Sequence, residues 1–89
     1  MIRRPLRITN KLGLHARAAS KLVSVASGYE AEVTLSRDGQ EVSGKSIMGV
    51  MMLGASRGTD LELITDGPDE EAAADALSGL VEDRFGEGE

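Results

Sequence analysis

The sequence predicts an α+β fold, a single mostly antiparallel sheet covered on one face by helices, in the order β-α-β-β-α-β-α. Two observations carry this. Apolar–polar alternation recurs at 2–9, 31–36 and 61–65, and apolar residues switch to helical spacing at 16–27 and after Pro68. Alternation inside the strands means that one sheet face is wet, which is the habit of antiparallel sheets. With 89 residues, one domain spanning 1–89 is expected.

Each element has its own reason. In the first strand Ile2, Arg4, Leu6 and Ile8 share a face, and Pro5, which has no N–H to donate, places this strand at an edge. Ala16, Ala19, Leu22, Val23 and Ala26 form the apolar stripe of the first helix, opposite Arg17, Ser20, Lys21, Ser24 and Ser27. Gly28 is read as a left-handed stop for that helix, closed by Tyr29. Ala31, Val33 and Leu35 point one way from the second strand. Asp38-Gly39 turns the chain into a short second edge strand at 40–43. Ser46 caps a short helix ended by Gly54, and a third alternating strand follows the loop Ser56-Arg57-Gly58. Asp69 is expected to cap the last helix, with Glu70 and Glu71 in its first turn and Arg84 near its end. Its buried stripe is read as Ala73, Ala76, Leu77, Leu80 and Val81, and 86–89 as a fraying tail.

Composition excludes several function classes. Without cysteine there is no disulfide scaffold, thiol nucleophile or Cys-ligated metal, and one histidine cannot form a multi-histidine site within the chain. The longest nearly apolar run, at 47–55, is far short of the roughly 20 residues that span a bilayer. No signal-peptide stretch follows Arg3 and Arg4, so a cytoplasmic protein without membrane insertion is expected. Charge is uneven: residues 1–29 hold six basic side chains and no acid, residues 30–89 four basic and fifteen acidic ones. A basic N-terminal third suits a phosphate or an acidic partner, although incidental solvated charge explains it equally well. Net acidity and only two aromatics, Tyr29 and Phe85, speak against nucleic-acid binding.

Two motifs bear on chemistry. In Gly13-Leu14-His15-Ala16-Arg17-Ala18-Ala19 the single histidine stands at a helix start, where unpaired amides and the positive dipole end receive anions. Arg17 can add a guanidinium to a phosphoryl oxygen. A histidine that carries a phosphoryl group and a plain structural histidine both remain open on these grounds. The second motif, Gly39-Gln40-Glu41-Val42-Ser43-Gly44-Lys45-Ser46, spells a phosphate loop. Its context is wrong: it crosses a hairpin turn and a return strand, and the helix after it lasts about two turns, where a phosphate loop leaves a parallel strand and opens a long helix. Ile47, Met48, Val50, Met51, Met52 and Leu53 exceed what a two-turn helix can bury. Packing is assigned to Ile47, Val50 and Met51, which leaves Met48 or Met52 for a partner surface.

Gly13-Leu14-His15-Ala16-Arg17 together with Lys45-Ser46-Ile47-Met48-Gly49-Val50-Met51 resembles the histidine-containing phosphocarrier (HPr) family of the bacterial phosphoenolpyruvate phosphotransferase system, and the likeness extends over Ile8-Thr9-Asn10-Lys11 and the helix after Pro68. The resemblance implies an open-faced β-sandwich, a four-stranded antiparallel sheet in the order 1-4-2-3 with three helices on one face. It implies that His15 accepts a phosphoryl group on Nδ1 from enzyme I and passes it to enzyme IIA proteins, without a cofactor or metal. Arg17 and the backbone of Ala16 and Arg17 would stabilise that group. Ser46 matches a regulatory serine modified by an HPr kinase/phosphorylase, and Ile47, Met48 and Met51, with Ser20, Lys21 and Ser24, match partner-docking positions on a monomer. Ala18 stands where the family usually has Pro, which bears on site geometry and not on role. A nitrogen-regulatory paralogue (NPr) is the near alternative, and a small ATP-binding protein using Gly39 to Ser46 the distant one.

Overall fold

The computed structural model describes residues 1–87. Four strands, β1 (Ile2–Arg7), β2 (Glu32–Arg37), β3 (Gln40–Ser43) and β4 (Asp60–Asp66), form one antiparallel sheet in the order β1-β4-β2-β3. Registers Leu6↔Leu61, Leu35↔Leu63 and Leu35↔Val42 put the apolar halves of all four strands on one face, as the alternation requires. Pro5 lies on edge strand β1 opposite Glu62. Helices α1 (Ala16–Ser27), α2 (Ile47–Met52) and α3 (Glu70–Glu82) cover that face. This is the open-faced sandwich that the resemblance implies. No helix among the described residues is long and apolar enough to cross a membrane.

The core shows where local pattern loses to tertiary packing. On α1 the buried residues are Ala18, Ala19, Leu22 and Ala26; Ala16, assigned to the stripe, is exposed at the helix mouth. On α3, Ala73, Ala74, Leu77 and Val81 are buried, while Ala76 and Leu80 sit at the margin. Gly28 is no left-handed stop. Its φ of −77° is right-handed, and its N–H closes the helix on Val25 O. Asp69 stands at the N-cap of α3, but its carboxylate makes no cap bond there: it accepts from the N–H groups of Glu30 (2.9 Å) and Ala31 (2.8 Å), tying α3 to the entrance of β2. Those backbone donors, Glu30 first, hold its carboxyl below the usual range.

The chain end departs most from expectation. Arg84 is outside α3, in a short 3₁₀ turn (Arg84–Gly86), so it does not complement the helix end. Arg84, Phe85 and Gly86 take φ of 54°, 56° and 75°, a left-handed run that costs roughly 1–2 kcal/mol for each non-glycine residue. Burial offsets that cost, because the run drives Phe85 wholly into the core as one of its largest buried side chains. Gly86 and Glu87 are therefore held in place and do not fray; positions 88 and 89 of the expected tail lie outside the described residues.

Candidate functional site

The site begins with a glycine. Gly13, at φ +68°, could not carry a Cβ, which would lie 2.5 Å from Ala55 O. The next amide, Leu14 N–H, donates to that same carbonyl (2.8 Å), so the loop after α2 braces the loop before α1. His15 follows as the N-cap of α1, extended at φ −75° and ψ 178°; its carbonyl accepts from Ala19 N–H while its ring makes no cap bond. The ring is thereby left to partners outside the helix. Of the first-turn residues with amides unpaired in the helix, Ala16 and Arg17 are exposed and Ala18 is fully buried. Ala18 thus fills core space and adds no exposed amide.

Around the ring the chain gathers charge. Lys11, Arg17 and Lys21 line one shallow cleft with His15, Gly86 and Glu87. The His15 Nε2 lies 2.6 Å from Glu87 Oε2, and the buried Asn10 amide donates from Nδ2 to Glu87 Oε1 (3.0 Å) and to Gly13 O (2.8 Å). Lys21 Nζ donates to Phe85 O (2.6 Å), locking the left-handed turn against α1. Hydrogen bonds from His15 and then Asn10 hold the Glu87 carboxyl below its ordinary range, with partial burial opposing and the Lys21 charge adding to the effect. Asn10 and Glu87 escaped the sequence reading. The available signal was the apolar aromatic Phe85 just before the stretch 86–89, which local pattern reads as a tail.

The second motif is separate from this cleft. Ser46 caps α2, its Oγ accepting from Gly49 N–H (3.1 Å), as expected. In α2 only Val50 is buried: Ile47 (44% exposed) and Met51 (43%) join Met48 (75%) and Met52 (67%) at the surface, against the packing expected for the first two. A six-residue helix has too little inner face for more. Ser20 and Ser24 are exposed on α1. The stretch from Gly39 to Ser46 runs through the antiparallel edge strand β3, and Lys45 Nζ donates to Tyr29 O (2.7 Å); this is not the cradle of a phosphate loop.

Residues 2–83 match the family model described as PTS-HPr, PTS HPr component phosphorylation site. The chain belongs to the HPr family. It is 55% identical to the phosphocarrier protein HPr of Cupriavidus necator, over 100% of both chains. Among solved structures, HPr-C-His from Thermoanaerobacter tengcongensis superposes with a TM-score of 0.95 at 44% identity, covering 98% of each chain. An HPr dimer from the same organism gives 0.79 at 45% identity, covering 92% of this chain and 94% of that one. HPr proteins are phosphocarriers of the phosphotransferase system, and this chain is a member of that family.

Proposed function

We propose that His15 is the phosphoryl acceptor, charged by phospho-enzyme I and discharged to enzyme IIA proteins or domains. The observation that carries this is the position of the sole histidine: its ring stands at the start of α1, in a cleft shared with Arg17, Lys11 and Lys21. The Nδ1 lone pair attacks phosphorus as the donor's bond to it breaks. Arg17 and the amides of Ala16 and Arg17 then receive the phosphoryl oxygens, and reversal toward a IIA partner empties the site. No cofactor or metal takes part. The exposed Ile47, Met48 and Met51, with Ser20, Lys21 and Ser24 of the neighbouring α1, supply the docking face, since α2 packs against α1.

Ser46 is the regulatory site in this reading, a substrate of an HPr kinase/phosphorylase. Phosphate on Ser46 adds roughly −1.5 to −2 charges beside that apolar face and hinders docking. The protein works in the cytoplasm as a single phosphocarrier domain and as a monomer, without nucleic acid or membrane insertion; light scattering separates a monomer from the dimer known for the Thermoanaerobacter chain. Incubation with purified enzyme I and labelled phosphoenolpyruvate tests the carrier role, and a panel of sugar and nitrogen acceptors decides between the sugar branch and the NPr branch.

A further inference from the structure

We infer that Glu87 is a positioning residue for phosphoryl transfer, holding the proton on Nε2 of His15 so that Nδ1 is the nucleophile. This rests on the reading that His15 carries the phosphoryl group. For a neutral ring the hydrogen-bond pattern leaves one tautomer. Asn10 faces two acceptors, Gly13 O and Glu87 Oε1, so its NH₂ end must point at both. An ionised carboxylate only accepts, so the ring nitrogen 2.6 Å from Oε2 must donate. A neutral imidazole has one N–H and one lone pair; with the hydrogen on Nε2, the lone pair is on Nδ1. The carboxylate and the incoming phosphoryl group therefore occupy different edges of the ring.

Attack forms the Nδ1–P bond, breaks the donor's bond to phosphorus and removes no proton from the ring. The product is a phosphoimidazolium whose Nε2–H still faces Glu87, a cation against a carboxylate. When an acceptor takes the phosphoryl group, neutral imidazole departs. Loss of the Nε2 proton would instead leave imidazolide as the leaving group, a far poorer one, and the phosphoryl group would be stranded. A carboxylate that orients a histidine and stabilises its imidazolium does the same in serine hydrolases. The chain invests backbone strain in this contact. Three consecutive left-handed residues, the buried Phe85, the Lys21 bond to Phe85 O and the Glu87 N–H bond to Arg84 O together deliver one carboxylate to one nitrogen.

The test uses the whole chain, labelled with ¹⁵N, as wild type, Glu87→Gln and Glu87→Ala. Ring-nitrogen shifts should show the Nε2–H tautomer in the wild type and a redistributed tautomer in Glu87→Ala. In Glu87→Gln, which keeps the shape without the charge, the melting temperature should hold. Transfer from His15 to a IIA acceptor should nevertheless fall about ten- to a hundredfold, the range for losing a group that orients an imidazole, and its phosphohistidine should outlive the wild-type one at neutral pH. Wild-type ring shifts and wild-type transfer in both variants would overturn the inference even though His15 becomes labelled. No labelling of the wild-type chain would overturn the carrier reading and the transfer role of Glu87 with it, while the ring shifts would still report whether the contact exists.

Discussion

Arg17 is exposed on α1 and lines the His15 cleft, so its charge should matter to the phosphorylated state far more than to folding. Arg17→Ala is expected to slow His15 phosphorylation by about tenfold or more, as for losing a positioned cation, and to change stability by less than about 0.5 kcal/mol, as for a surface substitution. Rapid-quench kinetics and urea titration read the two effects separately. Gly13 has the opposite profile. Gly13→Ala would place a methyl 2.5 Å from Ala55 O at φ +68°, a strained backbone costing about 1–3 kcal/mol, and would shift the loop that aims His15. Both the melting temperature and the phosphorylation rate should fall; retention of either would show that the loop can yield without moving the ring. The placement of His15 and Arg17 at a helix start was legible in the sequence because a helix start is a local feature. Asn10 and Glu87 were not, because their meaning lies in a contact across 77 positions of chain.

Among the elements, those governed by alternation or by turn chemistry were readable: β2 and β3 around Asp38-Gly39, β4, and α2 behind its Ser46 cap. The others are decided by distant partners. Asp69 holds the N-cap position of α3 but its carboxylate serves the β2 entrance, and the 3₁₀ turn at Arg84–Gly86 seats Phe85 in the core. Phe85→Ala is therefore expected to cost about 3–5 kcal/mol by cavity formation, and to release Glu87 from His15, which urea unfolding and ring-nitrogen shifts would register together. For α2 the expectation differs. Ser46→Asp keeps an oxygen acceptor at the cap and a negative charge near a helix start, so the melting temperature should hardly move. Phosphorylation of His15 by enzyme I should slow, since the charge sits beside exposed Ile47, Met48 and Met51. Unchanged enzyme I kinetics would remove Ser46 from the regulatory role.

Across the whole molecule, several carboxyls sit below their ordinary range: Asp60 through its bond from Arg7, Asp69 through Glu30 N–H, Glu70 through the Met1 amine, and Glu87 through His15. A depressed folded value contributes stability above the unfolded value, and that contribution is lost as pH falls through the folded one. The Met1 amine, raised chiefly by its bond to Glu70, contributes below its unfolded value and loses that as pH rises through the folded one. Acidification toward the isoelectric point near 4.8 also relieves the −5 net charge, so the urea midpoint should fall mainly below that pH and, more weakly, in alkali. A midpoint that rose steadily on acidification through pH 3 would contradict these assignments. The fold brings His15, Arg17 and Glu87 together from α1 and the far C-terminal turn, and the proposed use of that convergence is phosphoryl transfer through His15. The most direct measurement is labelling from phosphoenolpyruvate through enzyme I, with the wild-type chain and His15→Ala side by side. One acid-labile phosphoryl group per wild-type chain, and none on a His15→Ala chain with an unchanged circular dichroism spectrum, is the expected result; acid-labile phosphate on His15→Ala would contradict it.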